Sequence, residues 1–194
     1  MEHRRVWTIG HSNHPLERLL DLLRGHAIEV VADVRSSPYS QYAPQFDLDA
    51  LGKALREAGI RHVYLGRELG GRPRGDRYYD ERGHVLYGEV AKSEIFLAGI
   101  ARLETGMERY RVALLCAEEN PAACHRRLLV GRVLAGRGAE VLHIRGDATV
   151  VSEAELAAGE TEDQMLLFQE MEAAEWKSIP LVSPKKRQNS SSGF

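Results

Sequence analysis

Short apolar runs alternate with amphipathic segments along the first three-quarters of the chain. Between the runs, leucines recur at i, i+3, i+4 and i+7, a spacing that places them on one face of a helix. Strands alternating with helices of this length indicate an α/β fold, a three-layer Rossmann-like arrangement in which helices flank a mostly parallel sheet of about five strands. The predicted strands are residues 6–10, 29–34, 60–65, 110–115 and 140–144.

The same pattern divides the chain into three parts. Residues 1–150 are predicted to form the α/β domain, 151–177 an acidic helical extension, and the serine-rich 178–194 a disordered tail. Inside the domain, a glycine- and arginine-rich insertion at 66–88 is predicted to be a functional lid or a disordered loop, and 89–106 a single helix. The extension carries apolar residues that would suit core contacts or a homodimer: Met165, Leu166, Phe168 and Met171.

Both cysteines lie in one predicted strand-loop-helix unit, residues 110–127. Cys116 should end the strand. Asn120 and Pro121 should open the helix as its N-cap and first helical residue, which would place Cys124 in the first turn. Ligands usually bind at the carboxyl ends of parallel strands. Both thiols are therefore predicted at a ligand-binding edge of the sheet.

Arg126 falls on the face of this predicted helix that should lie on the sheet, with Leu129 and Val130. A guanidinium in that position needs a partner, because an unpaired buried charge is costly. Two interpretations stay open. Arg126 either pairs structurally with Glu118 or Glu119, or serves as a clamp for an anionic substrate.

Reactive polar side chains follow the first, second and fourth predicted strands. In a parallel sheet these side chains would gather at one edge, which indicates an active or binding site. The predicted catalytic residues are His11, Cys116, Glu118, Cys124 and His125. The predicted substrate-binding residues are Asp33, Arg35, Ser37, Arg72 and Arg126.

Thiol catalysis is the first chemistry that fits these residues. A cysteine near a helix N-terminus, beside Arg126 and His125, should have a lowered pKa and be partly thiolate. His11 or His125 would then serve as the base and Glu118 as the acid. The Cys-x5-Arg spacing of phosphatase loops is absent after either cysteine.

Two other thiol chemistries stay open. No cofactor is predicted outright, but thiolate and imidazole ligands suit zinc or iron. The candidate metal ligands are Cys116, Cys124, His125 and His11. A reversible disulfide between Cys116 and Cys124 is the other, although the sequence has no Cys-x-x-Cys motif.

A binding module without turnover is the alternative to an enzyme. Arginines and tyrosines of the loops could form a basic rim on which bases stack, so nucleic acid, a nucleotide or another small anion are candidate partners. The 26 basic and 28 acidic residues give a net charge of only −2, which does not support bulk non-specific nucleic-acid binding.

Composition and sequence motifs bear on the cellular compartment and on the class of cofactor. Two cysteines in 194 residues argue against a disulfide-built secreted scaffold. No signal peptide precedes the first strand and no apolar run approaches the about 20 residues of a membrane span, so we expect a cytoplasmic protein without a membrane partner. The first strand leads into Gly-His-Ser-Asn-His rather than Gly-x-Gly-x-x-Gly, which argues against a dinucleotide cofactor.

Six short motifs resemble those of the DUF488 family over about residues 6–145. They are TIGHS at 8–12, DVRSSP at 33–38, LGRELGG at 65–71, LLCAE at 114–118, CHRR at 124–127 and VLHI at 141–144. The resemblance implies the same domain limits and the same edge residues, but no reaction. The function is predicted from the residues themselves. They indicate an enzyme acting on a small anionic or nucleotide-like substrate through a Cys/His/Asp/Arg cluster at the strand ends, with a non-catalytic nucleic-acid- or metabolite-binding module as the alternative.

Overall fold

A computed structural model of the protein describes residues 4–159 and 176–182. Over these residues the strands form one sheet of the order β3-β2-β4-β1-β5-β6. The first five strands are mutually parallel and β6 is antiparallel to β5, so the predicted mostly parallel α/β sheet is confirmed. The strands are Arg5–Gly10 (β1), Val30–Asp33 (β2), Arg61–Tyr64 (β3), Val112–Cys116 (β4), Glu140–Ile144 (β5) and Val150–Ser152 (β6).

Helices cover both faces of the sheet and complete three layers. The helices are Leu16–Gly25 (α1), Leu48–Glu57 (α2), Tyr87–Ala91 (α3), Glu94–Met107 (α4), Arg132–Gly136 (α5) and Glu153–Gly159 (α6). Single 3-10 turns lie at Pro44–Phe46 and Asp76–Tyr78, and a π-helical segment, Arg126–Gly131, leads into α5. The leucine stripes of α1 and α2 bury Leu19, Leu23, Leu51 and Leu55, as their spacing predicts.

Alternation along the strands produces two hydrophobic cores, one on each face. Trp7 and Ile9 pack with α1 and α2 on what we term the α1 face. Val6, Val112 and Leu114 pack with α3, α4 and the segment after β4 on the opposite, α4 face.

The strand order makes neighbouring loops leave on opposite faces at the carboxyl edge. β4 lies between β2 and β1. The chain leaves β1 and β2 toward the α1 face, whereas it leaves β4 toward the α4 face. Such reversals open a crevice beyond the strand ends, where ligands bind in open α/β sheets. The loop after β4, which holds both cysteines, is flanked by a reversal on each side.

Three elements differ from the sequence prediction. The single helix predicted over 89–106 is two helices, because Ser93 ends α3 and caps α4, its Oγ accepting from the Phe96 amide at 3.4 Å. The insertion 66–88 is ordered, since Leu69, Tyr78 and Val85 are buried in the α4-face core, so the disordered-loop alternative is wrong and the functional lid stays a prediction. The three-residue β6, Val150–Ser152, crosses the predicted boundary between the domain and the helical extension and is too short for its pattern to be recognised.

Residues 176–182 lie against the insertion. The Trp176 indole donates to the Leu128 carbonyl at 2.9 Å, and the amide of Ser178 donates to the Val85 carbonyl at 2.8 Å. Residues 178–182 of the predicted disordered tail are therefore held by backbone pairing, which composition does not reveal. The rest of that tail and the apolar residues 165, 166, 168 and 171 lie outside the described residues. None of the helices in the described ranges is long and apolar enough to cross a membrane.

Candidate functional site

The helix after β4 begins later than its sequence predicts. The side chain of Asn120 accepts from the Ala122 amide at 3.1 Å and so closes a local turn instead of capping a helix. The helical hydrogen bonds start with the Cys124 carbonyl, which accepts from the Leu128 amide at 3.0 Å. Cys124 therefore precedes the first turn rather than lying in it. The turns that follow are π-helical, a rare form frequent at functional sites.

Both cysteines meet His125 at the carboxyl end of β4. The Sγ atoms of Cys116 and Cys124 lie 3.8 and 4.0 Å from His125 Nδ1. The Val34 carbonyl can only accept, so His125 Nε2 carries a proton and donates to it at 3.0 Å. This bond turns Nδ1 toward the sulfurs. Cys116 and Cys124 are both free, buried thiols. We term these three residues the thiol cluster.

The two thiols of the thiol cluster have pKa values shifted in opposite directions. A hydrogen bond from the Cys124 thiol, together with the positive charge of His125, holds the pKa of Cys116 well below its usual range despite burial. The same bond and burial raise the pKa of Cys124 well above its ordinary value. Burial opposes charge on His125, but the adjacent Cys116 thiolate outweighs it and raises the pKa of His125. The favoured state is a Cys116 thiolate beside a His125 imidazolium, with Cys124 protonated.

Arg126 is 1% exposed and holds the loop after β4 in place. Its guanidinium donates to the Glu119 carbonyl at 2.6 Å and to the Glu118 carbonyl. Its Nε donates to the buried hydroxyl of Thr8 at 3.3 Å. The partners are thus backbone carbonyls rather than the glutamate carboxylates that the sequence suggested. Arg126 adds positive potential beside Cys116, whereas its predicted contact with substrate stays a prediction.

A second group of buried polar side chains lies around the ends of β1 and β2. Asp33 is fully buried and accepts from the Arg35 side chain twice, at 2.8 Å from Nε and 2.6 Å from Nη2, and from the Arg35 amide at 3.1 Å. Arg35 Nη1 lies 3.2 Å from His11 Nε2. His11 Nδ1 lies 2.7 Å from the Ser12 carbonyl, and its ring stacks on Phe46 at 4.3 Å. We term His11, Asp33 and Arg35 the ion-pair cluster.

The charges of the ion-pair cluster are fixed by one another. Burial alone would raise the pKa of Asp33, but its contacts with the Arg35 and His62 side chains and the charge of Arg35 lower it, so the carboxylate stays ionised. Burial and the Arg35 charge lower the pKa of His11 and keep it neutral. The partners of His11 indicate the Nδ1–H tautomer, with Nε2 accepting from Arg35. Both ring nitrogens of His11 are therefore occupied.

The two clusters share the carboxyl edge but lie on opposite faces of the sheet. Cys116 continues the α4-face alternation of β4, whereas Asp33 follows the α1-face alternation of β2. They touch through the backbone, since the His11 amide donates to the Cys116 carbonyl at 3.0 Å. The sequence predicts one shared cluster, and the structure divides it in two.

The remaining predicted residues lie around these clusters. Glu118 is exposed and near enough to affect the charges of Cys124 and His125. Ser37 and Arg72 line a neighbouring cavity. The catalytic role of Glu118 and the binding roles of Ser37 and Arg72 stay predictions.

Two residues that the sequence analysis did not select complete the surroundings of the thiol cluster. Tyr87 is 2% exposed, and burial together with the nearby Glu118 and Cys116 charges raises its pKa, so its phenol stays neutral. Gly71 packs on the ring of His125, where an added Cβ would come 2.7 Å from the ring Cγ. The glycine-rich LGRELGG motif carried a signal of close backbone approach, whereas nothing in the sequence marked Tyr87.

The ligand atoms of Cys116, Cys124 and His125 all lie within 4.8 Å of one another, so this group could hold a metal ion. The predicted fourth ligand, His11, is not in the group, because its nitrogens face Arg35 and Ser12.

A family model described as "Domain of unknown function DUF488" matches residues 15–133, more than half of the chain. The matched segment holds the whole thiol cluster, Asp33 and Arg35, and begins after His11. No curated protein and no solved structure matches the chain.

Proposed function

The chain belongs to the DUF488 family, and we propose that it is an enzyme in which the Cys116 thiolate attacks a small anionic substrate. The observation that carries this proposal is the 3.8 Å approach of Cys116 Sγ to His125 Nδ1, with Nε2 of the same ring tied to the Val34 carbonyl. A nucleophile facing a base that a third group orients is the recurring arrangement of nucleophilic catalysis. The positive potential of His125 and Arg126 favours an anion.

The proposed reaction has two balanced steps. Cys116 sulfur forms a bond to the electrophilic atom of the substrate, and the bond to the leaving group breaks. The leaving group departs with the electron pair and takes the Nδ1 proton of His125. Neutral His125 then accepts a proton from a water molecule, whose oxygen displaces the product from sulfur and restores the thiolate and the imidazolium. Cys124 stays protonated and donates a hydrogen bond to Cys116 sulfur.

Alkylation of the folded protein tests the proposed nucleophile. Iodoacetamide at about neutral pH should label Cys116 and spare Cys124, with peptide mapping by mass spectrometry as the measurement. The Cys124→Ser variant is the matched control and should still be labelled at Cys116. Equal labelling of both thiols, or an ordinary thiol pKa at Cys116, would contradict the proposal.

A chromogenic ester adds a test of turnover. p-Nitrophenyl acetate should give a burst of nitrophenolate that Cys116→Ser abolishes and Cys124→Ser retains. A burst that persists in Cys116→Ser would place the nucleophile elsewhere.

Metal-dependent chemistry at the same residues is the second candidate, and the geometry of the thiol cluster favours it specifically. Zinc–sulfur and zinc–nitrogen bonds of about 2.3 and 2.0–2.1 Å place tetrahedral ligands about 3.6 Å apart. The observed 3.8 and 4.0 Å contacts are a few tenths longer. Three protein ligands with a free fourth position are typical of catalytic zinc, and the His125–Val34 bond is the usual orienting contact.

Metal analysis separates the two candidates. Protein purified without a His-tag would contain about one zinc or iron per chain if the metal site is real. The metal would then be lost from Cys116→Ser, and iodoacetamide would label the wild type only after a chelator is added. Metal-free protein that is labelled at once supports the free thiolate.

A further inference from the structure

A cavity of about 670 Å³ lies beside the thiol cluster, between the loop after β2 and the insertion 66–88. Its volume is within the range of small-molecule sites. The insertion and the loop are joined at its wall, because Ser36 Oγ accepts from the Arg72 amide at 2.9 Å. Gly70 lines the cavity, and the next residue, Gly71, packs on His125. The cavity and the thiol cluster therefore share one stretch of backbone as a wall.

The wall of the cavity carries an excess of positive charge. Arg67, Arg72 and Arg74 all line it and are exposed. Within the described ranges, none of the three guanidinium groups forms an ion pair with a carboxylate. The acidic residue of the wall, Glu68, is engaged by Arg102 at 2.6 Å. Guanidinium groups bind phosphate through paired donors, so this wall suits a phosphate group.

Aromatic rings stand beside these arginines. Tyr39 is 57% exposed, and the half-buried Tyr64 lines the same cavity. Burial raises the pKa of Tyr64, so its phenol is uncharged and does not repel an anion. A base stacked on an aromatic side chain gains about 1–3 kcal/mol. The walls thus provide both a stacking surface and charge for a phosphate ester.

We propose that this cavity binds a nucleoside monophosphate, with the phosphate on Arg67, Arg72 and Arg74 and the base on Tyr39. That the bound nucleotide is the group presented to Cys116 rests on the proposed function. Binding itself requires neither thiol, because neither thiol lines the cavity.

Titration calorimetry of the full chain with AMP, adenosine and inorganic phosphate tests the proposal. AMP should bind more tightly than either of its parts. Arg72→Gln and Arg74→Gln should each weaken AMP binding about tenfold, because each removes a charge-assisted hydrogen bond. Arg82→Gln, an exposed arginine of the same insertion that does not line the cavity, is the matched control and should bind as the wild type does.

Tyr39→Leu separates the two halves of the site, since it should weaken AMP binding while leaving phosphate binding unchanged. Absence of AMP binding at millimolar concentration, or equal weakening by Arg82→Gln, would overturn the proposal. Tighter binding of a single-stranded oligonucleotide than of AMP, with steep salt dependence, would overturn it in favour of a nucleic-acid surface. Cys116→Ser should bind AMP unchanged, so loss of the thiol chemistry and loss of this site are distinguishable.

Discussion

The thiol cluster and the ion-pair cluster occupy opposite faces of one sheet edge, and they differ in how fully their polar atoms are engaged. Asp33 accepts two bonds of 2.6 and 2.8 Å from Arg35, which also reaches the ring of His11. The sulfurs of the thiol cluster approach His125 only at 3.8 and 4.0 Å. One cluster is saturated by internal bonds, and the other holds a thiolate and an imidazolium in long contact.

That difference separates a structural role from a chemical one. Opening the bidentate Asp33–Arg35 pair for a substrate would expose two buried charges, each of which is costly without its partner. A thiolate whose donors are a thiol and an imidazolium 3.8 Å away can form a bond to an electrophile while the imidazolium releases a proton. Reactive residue types at strand ends therefore indicate the edge, and the saturation of their bonds separates the ion-pair cluster from the proposed nucleophile.

The largest expected effect comes from breaking the Asp33–Arg35 pair of the ion-pair cluster. Asp33→Asn should reduce the free energy of unfolding by about 3–5 kcal/mol, because it leaves the Arg35 charge buried without its counterion. Urea denaturation followed by circular dichroism measures this loss. Asp21→Asn, whose exposed partner Arg24 lies at 3.7 Å, should change stability by less than about 0.5 kcal/mol. A loss at Asp33 as small as that at Asp21 would show that the pair is not structural.

The next effect concerns the charge of the thiol cluster. Because the Cys116 pKa is lowered, its thiolate should persist below the ordinary thiol pKa and disappear only as pH falls through the lowered value. His125→Gln removes the positive partner, so the midpoint should move upward and alkylation at neutral pH should slow about tenfold. The pH dependence of the iodoacetamide rate measures the shift. His26→Gln, at the far end of α1, is the control and should leave the midpoint unchanged.

The leucine stripes predicted helices α1 and α2, and the apolar runs placed Asp33 and Cys116 at the carboxyl ends of their strands. The same runs, residues 30–32 and 112–115, are apolar throughout, so no alternation in the sequence could assign the two residues to opposite faces. The contact of His125 with Val34 was beyond the sequence, because it requires β4 to lie beside β2 and strand order leaves no local pattern. The predicted helix start at Asn120 was wrong because the side-chain oxygen that can cap a helix can also close a turn. Tyr87 and Gly71 reach the site from the insertion, whose folding depends on distant contacts.

A smaller effect tests whether the insertion holds His125 in place. Gly71→Ala places a Cβ 2.7 Å from the His125 ring, so the ring must shift. Overpacking of this kind costs about 1–3 kcal/mol, and the shifted imidazole should slow Cys116 alkylation severalfold. Gly88→Ala is the matched control, because its Cβ meets nothing within 4 Å. Unchanged alkylation and stability in Gly71→Ala would show that the insertion does not position the base.

The smallest effect decides which histidine belongs to the chemistry. His11→Phe keeps the ring stacked on Phe46 and removes the acceptor for Arg35 Nη1, a loss of about 1 kcal/mol at about pH 7.5. Since the folded-state pKa of His11 is lowered, the unfolded chain binds the proton first as pH falls below about 6.5, and wild-type stability declines there. The variant lacks that decline, so the difference between the two should shrink at about pH 5.5 in urea denaturation. The Cys116 alkylation rate should not change, because His11 belongs to the ion-pair cluster, where both of its ring nitrogens are engaged. A rate as low as that of His125→Gln would instead make His11 the base and join the two clusters into one active site.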